Sequence, residues 1–161
     1  MSDSKDMSII LFSGDWDKVM AAMILATGAA SEGRKVTIFC TFWGLNLLKK
    51  NNGVMKRGSS MLTKMLNLMN RGGAKHLGLS KFNMAGMGPM MIKHLAKKNR
   101  MPSIPGFIGI AKDMGVRFIA CTTSLAILDI GKDDLIDGVD DFAGVATYLE
   151  SATKSGINLF I

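Results

Sequence analysis

Short apolar runs alternate along this chain with longer stretches in which apolar residues recur at helical spacing. Ser8-Ile-Ile-Leu-Phe12 is closed by Ser13-Gly14 and reads as a buried strand. Val19, Met23, Ala26 and Ala30 then repeat at helical intervals until Gly33. A helix is predicted there, with Asp15 as its cap and Asp17 suited to its positive N-terminus. Val36-Thr-Ile-Phe-Cys40 is the next strand. Strand, helix and strand in this order make a right-handed βαβ unit with parallel pairing.

The middle is less regular. The pattern predicts a short helix over Trp43–Lys50, a polar loop over Asn51–Arg57 and a Leu/Met-rich helix over Ser59–Asn70, broken by Gly72-Gly73. Phe82–Gly88 is rich in Gly and Met and reads as irregular, with room for a brief strand at Lys81–Met84. Pro89 suits the first turn of a helix that runs to Lys98. Pro102 and Pro105 bracket a turn before a helix over Gly106–Met114. Val116-Arg-Phe-Ile-Ala-Cys121 is the clearest late strand, followed by a short helix over Thr122–Asp129. A longer helix is expected over Asp140–Lys154, with Phe142, Val145, Ala146 and Leu149 on one face. Gly156 ends it and Ile157–Ile161 is a terminal strand. The sum is one α/β domain over 1–161, a three-layer sandwich with a mostly parallel sheet of about five strands.

Composition narrows the class. The 161 residues suit one domain, and no apolar run reaches the roughly 20 residues of a membrane span. The N-terminus lacks the basic-then-apolar order of a signal peptide, so a cytoplasmic protein is expected. Charge is segregated: residues 34–112 hold 15 Lys or Arg and no Asp or Glu, whereas residues 113–161 hold 3 basic and 8 acidic. That polarity fits nucleic acid, anionic lipid or an acidic protein partner. Aromatic residues do not interleave with the basic ones, which argues against single-stranded nucleic acid. A solvated basic face that meets acidic surface on a neighbouring subunit accounts for it, and a homo-oligomer is expected.

Two cysteines, with no C-x-x-C and no Cys/His cluster, indicate neither a disulfide framework nor a zinc site. Ligands of open parallel sheets bind at the carboxyl ends of the strands. Those ends present Ser13, Gly14 and Asp15; Cys40, Thr41, Phe42 and Trp43; and Cys121, Thr122, Thr123 and Ser124. Cys121 ends a strand and starts a helix, where amide groups and the helix dipole favour thiolate and raise reactivity. Thr122, Thr123 and Ser124 can add hydroxyl donors. The other reading is a buried cysteine that fills the strand's last core position. Cys40 lies in a run apolar on both faces and reads as core. A transient Cys40–Cys121 disulfide requires the two strand ends to be adjacent.

Other chemistries lack their residues. No G-x-x-x-x-G-K-[ST] is present, and Gly86-Met-Gly88 is followed by Pro89-Met90-Met91 rather than the third glycine of a dinucleotide fingerprint. Position 127 is Ile where a phosphatase-type cradle needs arginine. His76 and His94 sit near no nucleophile in sequence, and no carboxylate pair stands out. Met84, Met87, Met90 and Met91 form a soft-ligand set for Cu(I), but the 14 methionines are spread through the chain, including positions such as Met20, Met65 and Met69 that read as helix core. No metal or cofactor is called for.

Ser8–Gly14 with the Asp15 helix, Phe39-Cys-Thr-Phe-Trp-Gly-Leu-Asn-Leu-Leu-Lys49, Phe82-Asn-Met-Ala-Gly-Met-Gly-Pro89 and Gly115-Val-Arg-Phe-Ile-Ala-Cys121 resemble the DsrE/DsrF-like sulfur-relay family over nearly the whole chain. The nearest branch is often labelled a peroxiredoxin family protein, although the thioredoxin-type peroxidase motif is absent. The resemblance implies a Rossmann-like α/β/α fold, homo-oligomers, and a cysteine that carries sulfur as a persulfide between donor and acceptor proteins. The family cysteine corresponds to Cys121. Thr123 and Leu125 depart from the Met-rich pattern that usually follows it.

A sulfur carrier or sulfurtransferase acting through Cys121, without metal or nucleotide, is therefore the expected function. Phe42, Trp43 and Asn46 are expected to close over Cys121 together with Met84, Met87 and Gly88, as an apolar mouth. Two other classes fit the residues. One is a thiol–disulfide oxidoreductase or redox sensor using Cys121-Thr-Thr-Ser124 as a monothiol site. The other is a non-catalytic module that binds RNA or an acidic protein through residues 34–112.

Overall fold

The computed structural model describes residues 5–50, 60–70 and 72–161. The loop expected over Asn51–Arg57 lies outside them. Five strands, β1 (Met7–Leu11), β2 (Val36–Cys40), β3 (Arg117–Cys121), β4 (Asp141–Ala143) and β5 (Ile157–Phe160), form one sheet in the order β4-β3-β2-β1-β5. Every pairing is parallel. The helices that matter for position are α1 (Trp16–Ser31), α2 (Met61–Met69), α3 (Met87–Lys98), α4 (Ile104–Asp113), α5 (Thr122–Leu128) and α6 (Val145–Lys154).

Topology decides the layers. From β1 to β4 the chain steps in one direction across the sheet, and right-handed crossovers then keep the connecting helices on one face. The step from β4 back to β5 reverses direction and puts α6 on the other face. The two faces have separate cores. Ile9, Leu11, Ile38, Cys40, Phe118 and Ala120 pack with α1, α4 and α5. Phe39, Ile119, Cys121 and Ala143 pack with Tyr148 of α6. On that thinner face the buried Ser8 hydroxyl meets Tyr148 Oη at 2.9 Å and donates to Asn158 Oδ1 at 2.7 Å.

Several expected elements are placed differently. Lys81–Met84 is not a strand; the additional strand is β4, Asp141–Ala143, at the start of the stretch where the sequence predicts a helix. Asp140 explains this. Its amide donates to the Phe118 carbonyl, while its carboxylate accepts from the Phe118 amide at 2.7 Å and from Lys112 Nζ at 2.6 Å. That clamp holds the chain extended beside β3 until Gly144 caps α6. The buried face of α6 is consequently Tyr148 with Ala152, not Val145 and Leu149, which are exposed. Phe142 turns to the opposite core, with Lys132 Nζ 4.5 Å above its ring.

The helix expected at Trp43–Lys50 is a 3-10 segment, Phe42–Leu47. Pro105 does not close a turn but stands in the first turn of α4, which Ser103 caps through a hydrogen bond from the Gly106 amide. Met20 is core as expected, whereas Met65 and Met69 are exposed and the buried residue of α2 is Asn67. One basic residue of the supposed solvated face is inside: Lys49 is buried beside Asp134, its Nζ donating to the Asn70 carbonyl at 3.4 Å.

Candidate functional site

Loops leaving the carboxyl ends of β1, β2 and β3 turn toward the α1 face, and the loop leaving β4 turns toward the α6 face. They part between β3 and β4. Such a topological switch point leaves a crevice at the strand ends, and open parallel sheets bind ligands there. Cys121 is the last residue of β3, paired in register with Ala143, the last residue of β4. A cysteine at this point is held by a rigid strand while the two chains beside it diverge.

The surroundings of the sulfur favour its ionised form. Burial pushes the Cys121 thiol up, but the Ser124 hydroxyl and amide, the Thr41 hydroxyl and the Thr123 amide together outweigh it. The thiol therefore titrates below its ordinary value. Thr41 Oγ1 and Ser124 Oγ lie 2.8 Å apart, so the two hydroxyls also brace one another. Thr122 and Thr123 are exposed, and Thr123 reaches the sulfur through its amide rather than its hydroxyl.

Thr41, which the sequence places at the end of β2 without a role, is a hydrogen-bond partner of the sulfur. Its place is fixed by the turn after β2. The Thr41 amide donates to the Leu11 carbonyl at 3.0 Å, and the Gly44 amide to the Phe12 carbonyl at 2.8 Å. Any side chain at Gly44 would overlap the Leu11 carbonyl oxygen, which is why glycine stands there. Between these anchors Phe42 adopts φ 45°, a left-handed conformation that costs a bulky residue about 1–2 kcal/mol. Strain of this kind persists only where the surroundings impose it, and here it borders the candidate site. The spacing of Thr41 and Cys121 carries no sequence signal because 80 residues and a strand pairing separate them.

Cys40 offers a control in the same sheet. It pairs in register with Ala120, so its side chain projects to the α1 face while that of Cys121, one residue on, projects to the α6 face. Cys40 is 0% exposed, and burial alone pushes its thiol far above the ordinary range. Cβ atoms that point to opposite sides of a sheet cannot be bridged without moving the backbone. The Cys40–Cys121 disulfide considered from sequence is thus excluded by the pleat.

The remaining residues singled out from sequence fall into other places. Ser13, Gly14, Trp43 and Asn46 line a mainly polar cavity of about 490 Å³ with Asp15, Lys18, Asn70, His76 and Gly78, and Cys121 is not among its walls. Gly14 allows the close approach of this loop to the Trp43 carbonyl. Phe42 packs on Phe12, ring centroids 5.5 Å apart. Gly88 is buried against the Phe82 carbonyl, while Met84 and Met87 are exposed and take no part in the hydrogen bonds around the sulfur. Among the described residues, no group of three His, Cys, Asp or Glu could hold a metal ion.

The whole chain has known counterparts. The model of the DsrE/DsrF/DrsH-like family matches residues 3–160. The uncharacterized protein YrkE of Bacillus subtilis is 46% identical over 159 residues, covering 98% of both chains. The sulfur carrier protein DsrE2 of Allochromatium vinosum is 35% identical over 164 residues, covering 99% of both. Two solved structures share the fold. The MTH1491 protein of Methanobacterium thermoautotrophicum has a TM-score of 0.58 at 14% identity, over 98% of this chain and 100% of its own. The ychN protein of E. coli has 0.52 at 11%, over 97% and 99%. With the family model matched over residues 3–160 and a relative 35% identical over nearly its whole length, this chain belongs to the DsrE/DsrF/DrsH-like family.

Proposed function

We propose that the protein is a sulfur carrier that holds sulfane sulfur as a persulfide on Cys121 and passes it to a partner protein's thiol. The observation that carries this reading is the hydrogen-bonded, low-titrating thiol at the end of β3. The family and a relative named as a sulfur carrier support it.

In loading, the Cys121 thiolate attacks the outer sulfur of a donor persulfide. A new S–S bond forms to Cys121, the donor's S–S bond breaks, and the donor leaves as a thiolate that takes up a proton from solvent. The outer sulfur keeps its own proton, and nothing is oxidised or reduced overall. In discharge, an acceptor thiolate attacks the same outer sulfur and Cys121 leaves as thiolate. A depressed thiol pKa serves both halves, since it supplies thiolate for the first attack and a good leaving group for the second. Ser124, Thr41 and the Thr123 amide stabilise that leaving thiolate. The donor and acceptor are proteins of the cytoplasm in this reading, and the carrier acts there as a homo-oligomer.

The test is intact-mass analysis after incubation with polysulfide. Wild type is expected to gain one sulfur that a small thiol removes, and Cys121→Ser to gain none. Equal gain in both proteins, or none in wild type, would overturn the assignment.

A further inference from the structure

Helix α3 meets the body through buried Gly88, half-buried Ala96 and Lys93, whose Nζ donates to the Lys75 and Leu77 carbonyls. Its other side presents Met87, Met90, Met91 and Leu95 to solvent at 53%, 68%, 63% and 48% exposure. Contiguous apolar surface of this kind marks an interaction site, because each such side chain gains free energy when water is removed from it.

The end of the same helix carries Lys97, Lys98 and Arg100, within a stretch from 34 to 112 that contains no acidic residue. Among the described residues, Lys97, Lys98 and Arg100 have no carboxylate partner; the ion pairs lie elsewhere. The occupant of the face must therefore be apolar and anionic together.

A second copy of this chain fits poorly. Two copies that meet through α3 would oppose lysine to lysine. Within the acidic C-terminal third, Asp140 is already held by Lys112, Asp141 by Arg117 and Glu150 by Lys154. Nucleic acid offers no counterpart to four methionine and leucine side chains. An anionic phospholipid surface offers both: phosphates for the cations and acyl chains for the thioethers. Twelve residues of helix span about 18 Å, too short for a bilayer core of about 30 Å but suited to lying in its interface. No helix among the described residues is long and apolar enough to cross a membrane.

We propose that α3 is a reversible anchor to membranes that contain anionic phospholipid, with Met87, Met90, Met91 and Leu95 seated at the headgroup–acyl boundary and Lys97, Lys98 and Arg100 on the phosphates. A single short helix of this kind binds weakly and releases readily, as suits a carrier that moves between partners.

Vesicle flotation tests this, with phosphatidylcholine alone compared with phosphatidylcholine containing phosphatidylglycerol. Wild type is expected to float with the anionic vesicles only, and less as salt rises. Lys97→Gln and Lys98→Gln are each expected to cut partitioning by about fivefold. Met90→Asp with Met91→Asp should abolish it, and circular dichroism should be unchanged because both side chains project outward. Failure of wild type to float, or flotation of these variants at the wild-type level, overturns the proposal. So does light scattering that shows self-assembly lost in the methionine variant without any flotation, an outcome that assigns the face to a second copy.

Discussion

Cys40 and Cys121 end neighbouring strands of one sheet and lie one residue apart in register, yet their chemistries are opposite. Cys40 faces the thick side, where α1 and α4 leave it no exposure and no hydrogen bond to stabilise charge. Cys121 faces the side covered by α6 alone, at the end of β3, 6% exposed, with two hydroxyls and two amides around it. The lesson is that the end of a parallel strand does not make a thiol reactive. The pleat must aim it at the switch point, and donors must offset the desolvation that burial imposes.

The largest expected effect compares the two thiols directly. In the folded protein, iodoacetamide should modify Cys121 on the order of a thousandfold faster than Cys40, which becomes accessible only when the fold opens. Peptide mapping of alkylation time courses measures both rates. Comparable rates would erase the contrast.

Removing the donors should make Cys121 behave more like its neighbour. Ser124→Ala takes away a hydroxyl and is expected to raise the midpoint of the pH–alkylation profile by about one to two units, because a hydrogen bond to a charged group is worth about 1.5–3 kcal/mol. Thr41→Val should move it the same way by less. An unmoved midpoint in both variants would show that the hydroxyls do not set the thiol's charge.

Stability against pH separates the two residues by sign. Folding raises the Cys40 pKa, so above about pH 8.5 the unfolded chain has lost a proton that the folded protein keeps, and stability falls by about 1.4 kcal/mol per pH unit. Folding lowers the Cys121 pKa, so its contribution is present above the unfolded value and lost as pH drops through the folded one. Burial also lowers Lys49 to about 8, which raises stability between there and its unfolded value near 10.4. Urea unfolding should therefore show that Cys40→Ala costs about 1 kcal/mol at neutral pH and removes the alkaline loss specific to Cys40. An unchanged alkaline slope in that variant would contradict the burial argument.

The smallest effect probes the thin face. Tyr148→Phe removes the bond to Ser8 but keeps the Tyr148–Phe39 ring contact, whose centroids are 4.9 Å apart. Ser8 retains Asn158, so a loss of about 1 kcal/mol is expected in the same unfolding assay. No loss at all would mean that this hydrogen bond does not help to tie α6 to the sheet.

Much of this protein was determined by its sequence alone. The apolar runs that became β1, β2, β3 and β5 were legible because a parallel strand buried on both faces is continuous in its hydrophobicity. The helix after β1 and the strand-to-helix junction at Cys121 were legible from periodicity and glycine stops. Tertiary structure decided the rest. β4 has three residues, too few for any period, and exists because Asp140 clamps it to β3. The face of α6 followed from where that strand ended. The pairing of Thr41 with Ser124 joins residues 83 apart, and the separation of Cys40 from Cys121 depends on strand register. Local sequence sets which residues are extended or helical, but register and crossover direction set which side chains meet, and these are properties of the assembled sheet.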